Sequence, residues 1–235
     1  MNFAGLPERL AHIRDEIARR QQAAGWTHAV TIVAVTKGFG PDAVRAALAA
    51  GLPDLGENRV QEAVEKMSHV GAPEPGVRWH LIGHLQRNKA KLVPGRFALV
   101  HSLDSVALAE ELDRRAAAAG VRQPVLVQVN LAGEAQKSGC APADAPALVR
   151  RVAALEAVAL DGLMTMAPFT DAVEVQRRVF HGLRQLRDTL QEEGIWLSKL
   201  SMGMSGDYAT AVEEGATVIR LGTALFGTRT EEDPG

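Results

Sequence analysis

One lysine, Lys37, stands directly after the apolar run VTIVAVT at residues 30–36 and is followed by a glycine. β-Branched and apolar residues in such a run are typical of a buried strand, so the amine lies at the strand's C-terminal end. A lysine in that position is either a solvated polar stop or, if it is partly desolvated, a nucleophile of lowered pKa that attacks carbonyl groups. The residues at the ends of the other predicted strands are needed to distinguish the two interpretations.

Two segments rich in glycine and hydroxyl side chains follow the last two predicted strands. Residues 201–207, SMGMSGD, join one strand to a helix that begins near Asp207, and their small side chains leave backbone N–H groups open to an anion. Residues 220–223, RLGT, end the next strand in a similar way. Loops after strands seven and eight of a barrel are the usual place for a phosphate site. Together the two segments predict a bound phosphate.

The segment WHLIGH carries His80 and His84 at a spacing that would bring two metal ligands together on a helix. Its pattern is that of a strand, however, and four residues of strand span roughly 13 Å, which one metal ion cannot bridge. We therefore expect no metal site. His80 and His101 are interpreted as hydrogen-bonded residues at the barrel mouth.

The elements that would position these residues alternate regularly between strand and helix. Strands are predicted at residues 30–37, 54–58, 78–84, 97–103, 124–131, 158–166, 196–203 and 218–227, and each but the last is followed by helical sequence. This alternation predicts an α/β protein with a (β/α)8 or TIM barrel, a single domain over residues 1–235 with an additional amphipathic helix at its N-terminus. A doubly wound open sheet is the alternative, but no GxGxxG follows the first strand.

The amino-acid composition excludes several classes of protein function. With 26 basic and 28 acidic residues, the chain has no global charge that would favour nucleic acid or an anionic membrane. No apolar run is long enough to span a bilayer, and the single cysteine, Cys140, excludes an internal disulfide. We expect a soluble cytoplasmic monomer. The basic segment with Arg87, Lys89, Lys91 and Arg96 is interpreted as a solvated helix face rather than a docking site.

Several sequence blocks resemble one known family along nearly the whole chain. They are VAVTK (33–37), GENRVQEA (56–63), WHLIGHLQRNK (79–89), HSLDS (101–105), VNLAGEAQKSG (130–139), DGLMTMAP (161–168) and LSMGMSGDYATAVEEGATVIRLGTALFG (200–227). Through these blocks the chain resembles the pyridoxal 5'-phosphate (PLP) homeostasis proteins, also called the YggS or PROSC family.

The resemblance implies a barrel like the N-terminal domain of alanine racemase, with PLP held as an imine on Lys37. It also implies that Arg220 faces the pyridine nitrogen. The implied phosphate ligands are Ser205, Gly206, Gly222 and Thr223, and the implied pocket-lining residues are Asn58, His80 and Met204. The chain departs from the family at Gly38 and Phe39, where relatives more often continue with a polar residue.

Two features argue against catalysis. Arginine only donates hydrogen bonds, so it leaves the pyridine nitrogen unprotonated and the ring a weaker electron sink. The racemases resembled here also use a tyrosine base from an additional β domain, whereas the only tyrosine of this chain, Tyr208, lies beside the phosphate loop. We expect a PLP carrier without catalytic residues that buffers PLP and delivers it to PLP-dependent apo-enzymes. The alternatives are a PLP-dependent amino-acid racemase of narrow specificity and a cofactor-free Schiff-base aldolase.

Overall fold

Eight parallel strands close into a barrel in which each strand pairs with its neighbours in sequence and the last strand pairs with the first. The computed structural model describes residues 3–70, 76–134 and 138–228. The predicted TIM barrel with an extra N-terminal helix is thereby confirmed. Within those residues, no helix combines the length and the apolar character needed to cross a membrane.

The elements follow one another in strict alternation after the first helix. Their bounds are α1 (Leu6–Ala24), β1 (Thr31–Val35), α2 (Pro41–Ala49), β2 (Asp54–Glu57), α3 (Val60–Val70), β3 (Arg78–Leu81), a 3-10 helix (Arg87–Leu92), β4 (Leu99–Leu103), α4 (Val106–Ala118), β5 (Gln123–Gln128), α5 (Ala145–Ala153), β6 (Val158–Met164), α6 (Val173–Glu192), β7 (Lys199–Ser201), α7 (Tyr208–Glu213), β8 (Val218–Leu221) and α8 (Thr223–Phe226).

The apolar runs become strands because both of their faces are covered. Val33 and Ala34 in β1 and Val125, Leu126 and Val127 in β5 have no solvent exposure, which explains why these strands lack the polar alternation of a half-exposed sheet. The outer helices turn one apolar stripe to the barrel. In α1 that stripe consists of Leu6, Leu10, Ile13 and Ile17, all buried.

The strands are shorter than their apolar runs. β3 ends at Leu81, so His84 lies in the loop after it, and β8 ends at Leu221 instead of continuing to residue 227. A short helix, Thr223–Phe226, follows β8, so the expectation that no helix follows the last strand is wrong. The remaining apolar residues of these runs pack in the loops and short helices at the barrel mouth.

The basic segment forms the 3-10 helix and the turn that follows it. Arg87, Lys91 and Arg96 are exposed there, whereas Lys89 is partly buried, so the interpretation of a solvated face holds for three of the four basic side chains. No group of three or more histidine, cysteine, aspartate or glutamate side chains in the described part of the chain is arranged to hold a metal ion.

Candidate functional site

The C-terminal ends of the strands surround a cavity of about 550 Å³, a volume typical of small-molecule sites. Most residues that the sequence assigns to ligand binding line this cavity: Lys37, Asn58, Met204, Ser205, Gly206, Arg220, Gly222 and Thr223. The barrel therefore brings together one amine, one guanidinium and two glycine-containing loops. Their roles toward a ligand stay predictions.

Lys37 lies in a tight turn directly after β1. The N–H of Phe39 donates to the carbonyl oxygen of Thr36 at 3.0 Å, and Gly38 has a φ of +69°, as the third position of a type II turn requires. Phe39 anchors the turn by packing its ring 5.3 Å from that of Phe226. The turn places Lys37, with an exposed side chain, at the rim of the cavity that it lines, and the partial desolvation of its amine stays a prediction.

A buried ion pair supports the turn from behind. Lys66 Nζ donates to Glu57 Oε1 at 2.5 Å and to the carbonyl oxygen of Thr36 at 2.8 Å. The Thr36 hydroxyl donates to the same Glu57 oxygen at 2.5 Å. Since Glu57 is fully buried and Lys66 almost so, these bonds are formed away from competing water and hold the end of β1 against β2 and α3.

The two glycine-containing loops meet through Ser205. Its Oγ accepts hydrogen bonds from the N–H groups of Gly222 at 3.2 Å and Ala224 at 3.1 Å. Gly203, in the same loop, has a φ of +95°, and a Cβ there would lie 2.6 Å from the Cβ of Ala211. A glycine is therefore needed for the loop to pass this close to α7. Together the loops present a hydroxyl and backbone amides at one end of the cavity.

Arg220 is the buried cation of the site. It is 3% exposed, and it donates from Nη1 to Ser201 Oγ at 2.6 Å and from Nη2 to the carbonyl oxygen of Thr165 at 3.0 Å. Burial lowers the pKa of Arg220 to about 10, although the carboxylate of Asp207 acts in the opposite direction. The guanidinium therefore keeps its charge at neutral pH and acts only as a hydrogen-bond donor.

His80 does not line the cavity, which corrects the pocket-lining role taken from the family resemblance. Its Nε2 lies 2.9 Å from Asp54 Oδ1 and its Nδ1 lies 2.9 Å from His101 Nε2. The expected hydrogen bonding of His80 and His101 is confirmed, but it occurs inside the barrel and not at the mouth. The reason is the direction of the His80 side chain, which turns into the barrel and reaches Asp54 at the start of β2 and His101 in β4.

One side of the cavity was missed from the sequence. The loop after β6 contributes residues 168–171, where Phe169 is fully exposed, and α6 contributes Gln176. His84, beyond β3, lies on the rim 3.4 Å from Asp104. The block DGLMTMAP ends where this loop begins, and its proline was the available signal of a strand-to-loop transition.

The arrangement suits a small molecule that carries both a carbonyl group and an anionic group. A primary amine at the rim can form a covalent bond with a carbonyl carbon. Hydroxyl groups and backbone amides in glycine loops are typical ligands of phosphate, and they lie at the ends of β7 and β8 as in many barrels. The buried guanidinium of Arg220 lines the same cavity and has more N–H donors than the two that are bonded to Ser201 and Thr165.

Comparison with known proteins identifies close relatives. The family model described as "Alanine racemase, N-terminal domain" matches residues 9–230. The chain is 40% identical over 224 residues to the pyridoxal phosphate homeostasis protein of Aquifex aeolicus, covering 94% of this chain and 97% of that protein. It is 42% identical over 225 residues to the protein of the same name from Pseudomonas aeruginosa, covering 95% and 96%.

A solved structure of a relative is also similar. PipY of Synechococcus elongatus, with PLP bound, superposes with a TM-score of 0.82 at 38% identity, covering 94% of this chain and all of that chain.

Proposed function

Because the chain belongs to the pyridoxal phosphate homeostasis protein family, we propose that it binds PLP and takes part in PLP homeostasis. The family name and the PLP-bound PipY structure support this proposal. The observation that carries it is the placement of Lys37, Arg220 and the two phosphate-competent loops around one cavity.

The residues present fit the cofactor. PLP supplies an aldehyde, with whose carbon an amine forms a C=N bond as the oxygen leaves as water, and a ring that withdraws electrons. Lys37 would hold the aldehyde end, and Ser205, Gly206, Gly222 and Thr223 the phosphate. Arg220 would donate to the ring nitrogen, with Asn58 and Met204 beside the ring. All of these residues line the cavity.

We further propose that the protein carries PLP without substantial turnover. With a pKa of about 10, Arg220 donates to the ring nitrogen without protonating it, which keeps the ring a weak electron sink. Tyr208 is not among the cavity-lining residues, so the tyrosine base of the racemases has no counterpart among the described residues of the cavity. Racemase activity remains the second candidate because His84 and Asp171, two possible bases, lie on the rim.

The exposed position of Lys37 supports a carrier that releases its cargo. Because Lys37 is exposed, water would be able to hydrolyse the C=N bond, which would give back the free aldehyde and the amine. We propose that the released PLP is delivered to PLP-dependent apo-enzymes. We propose a cytoplasmic location because the sequence has a single cysteine, Cys140, and therefore no internal disulfide, which is typical of a reducing compartment.

The test is to trap the covalent bond. PLP is added to the purified protein, the absorbance spectrum is recorded, borohydride is added and the labelled peptide is identified by mass. We expect one label on Lys37 in the wild type and in Lys91→Arg, a matched exposed lysine, and none in Lys37→Arg. Label spread over several lysines, or retained in Lys37→Arg, would contradict the proposal.

The racemase alternative is tested separately with amino acids in deuterated water. A carrier should leave the α-proton in place. Exchange at ordinary enzyme rates, on the order of 1 per second or more, would show that the protein is an enzyme.

A further inference from the structure

A chain of hydrogen bonds runs from the cavity through the barrel interior to its opposite end. It begins at Arg220 in β8 and passes through Ser201 in β7, His101 in β4 and His80 in β3 to Asp54 in β2. Successive atoms are 2.6, 2.8, 2.9 and 2.9 Å apart. Strands β4 and β7 are not neighbours in the barrel, so the bond between His101 and Ser201 crosses its interior.

None of these side chains is open to solvent. Ser201 and His101 have no exposure, and His80 and Asp54 are each 5% exposed. At the far end, Arg78 donates two hydrogen bonds to the Asp54 carboxylate, both 2.6 Å long. The four links from Arg220 to Asp54 are therefore shielded from competing water, and the loss of one of them leaves buried polar groups without partners.

The hydrogen bond between His80 and Asp54 has a fixed direction. Burial opposes the charge on Asp54, but hydrogen bonds from His80 and Arg78 outweigh it and keep the pKa of Asp54 below its ordinary value. Asp54 is thus an acceptor, and His80 Nε2–H donates to it. Burial, followed by the effects of His80 and Arg220, lowers the pKa of His101 well below its ordinary value, so His101 is neutral.

The two imidazoles link these ends through both of their ring nitrogens. His80 Nδ1 is bonded to His101 Nε2, and His101 Nδ1 is bonded to the Ser201 hydroxyl, so the direction of these two middle links is set by which ring nitrogens carry protons. At the cavity end, Ser201 Oγ accepts from Arg220. The four hydrogen bonds form one continuous series, which allows them to polarise one another.

We propose that Ser201, His101, His80 and Asp54 are positioning residues that hold Arg220 as the donor to the ring nitrogen of PLP. The inference rests on the proposed function. Arg220 has five N–H donors; those bound to Ser201 and Thr165 fix the plane of the guanidinium, and others are left for a ligand of the cavity. The series of hydrogen bonds would thus connect the cofactor's ring to the end of the barrel that lies opposite the phosphate loops.

The test compares PLP with its carbocyclic analogue, in which CH replaces the ring nitrogen. Dissociation constants for both ligands are measured for the wild type, Ser201→Ala and Asp54→Asn. In the wild type we expect PLP to bind more tightly than the analogue. In Ser201→Ala that preference should fall by about fivefold, the value of one hydrogen bond, with a smaller fall in Asp54→Asn. Gln123→Leu removes buried hydrogen bonds that do not belong to the series from Arg220 to Asp54, so this variant should keep the wild-type preference for PLP.

Asp54→Asn keeps the side-chain volume and an acceptor oxygen, so it carries the test if Ser201→Ala does not fold. If the wild type binds PLP and the folded variants keep its preference, the positioning role is wrong and the proposed function stands. If the wild type does not bind PLP, both are wrong. A loss of affinity that is equal for both ligands also overturns the positioning role, because it would show general damage to the cavity.

Discussion

Lys66 Nζ lies 2.8 Å from the carbonyl oxygen of Thr36, so helix α3 is hydrogen-bonded to the residue immediately before Lys37. The same ammonium neutralises Glu57, whose other carboxylate oxygen is buried without a hydrogen-bond partner. This cation therefore has two tasks, to compensate a buried charge and to hold the turn that carries Lys37.

Replacing Lys66 with methionine should cost about 3–5 kcal/mol in the free energy of unfolding, because Glu57 is left as an uncompensated buried charge. It should also lower the yield of borohydride-trapped PLP on Lys37. Urea denaturation measures the first effect and peptide mass analysis the second. Arg59→Met, which breaks an exposed pair with Glu62, should change neither. An unchanged yield in a folded Lys66→Met protein would limit this lysine to a structural role.

Replacing Gly38 with alanine should destabilise the turn after β1. At a φ of +69°, a Cβ costs about 1–2 kcal/mol. Gly182 in α6 is the matched control, since a Cβ there would meet only Leu131 at an ordinary 3.7 Å and alanine should stabilise the helix by about 0.5–1 kcal/mol. Thermal denaturation of both variants checks the opposite signs. Equal effects would mean that the turn is not constrained by its backbone.

Replacing Ser205 and Thr223 together with alanine should weaken PLP binding more than pyridoxal binding. Hydrogen bonds to a charged group are worth about 1.5–3 kcal/mol each, so PLP affinity should fall at least tenfold. Titration with both ligands gives the comparison, and Thr228→Ala, an exposed threonine outside the cavity lining, is the control. Equal losses for the two ligands would refute the phosphate assignment.

Glu214 should contribute stability that depends on pH. Burial alone would raise its pKa, but hydrogen bonds from Arg184, Arg177 and His181 outweigh that effect and hold the pKa below the ordinary 4.5. Because the folded-state pKa is depressed, the contribution is fully present above the ordinary pKa and is lost as the pH falls through the lower folded value.

Glu214→Gln should therefore lower the free energy of unfolding by about 1–3 kcal/mol at pH 7, and the difference from wild type should shrink below pH 4.5. Denaturation curves across that range are the measurement. Glu110→Gln, in an exposed pair with Arg151, should follow the wild type at every pH. A constant difference for Glu214→Gln would show that its ionisation does not matter.

The fold is readable from the sequence because each buried parallel strand appears as a separate apolar run. Its boundaries are not, since the same apolar residues continue into the loops: the run that contains β8 extends through Phe226, which is buried in α8. Periodicity does not show where a chain leaves the sheet. Only the turn geometry, as at Gly38, determines that point.

The cavity is predictable to the extent that strand ends determine it. Lys37 and Arg220 follow that rule, and both line the cavity. Lys66 does not, because a helical lysine that points inward has the same local sequence pattern as one that points to solvent. The contacts of His80 were equally hidden, because its partners Asp54 and His101 lie on the neighbouring strands β2 and β4, and only the closed barrel shows that these side chains meet inside it.

The position of Ser205 has a consequence for the kinetics of exchange. Its hydroxyl oxygen already accepts from the N–H groups of Gly222 and Ala224, so its O–H proton is the part that would donate to an anion. These two amides keep their acceptor whether or not an anion is held, and neither is left unsatisfied when the anion leaves. A loop that keeps these hydrogen bonds in both states needs no rearrangement for release, which suits a protein that has to give up what it holds.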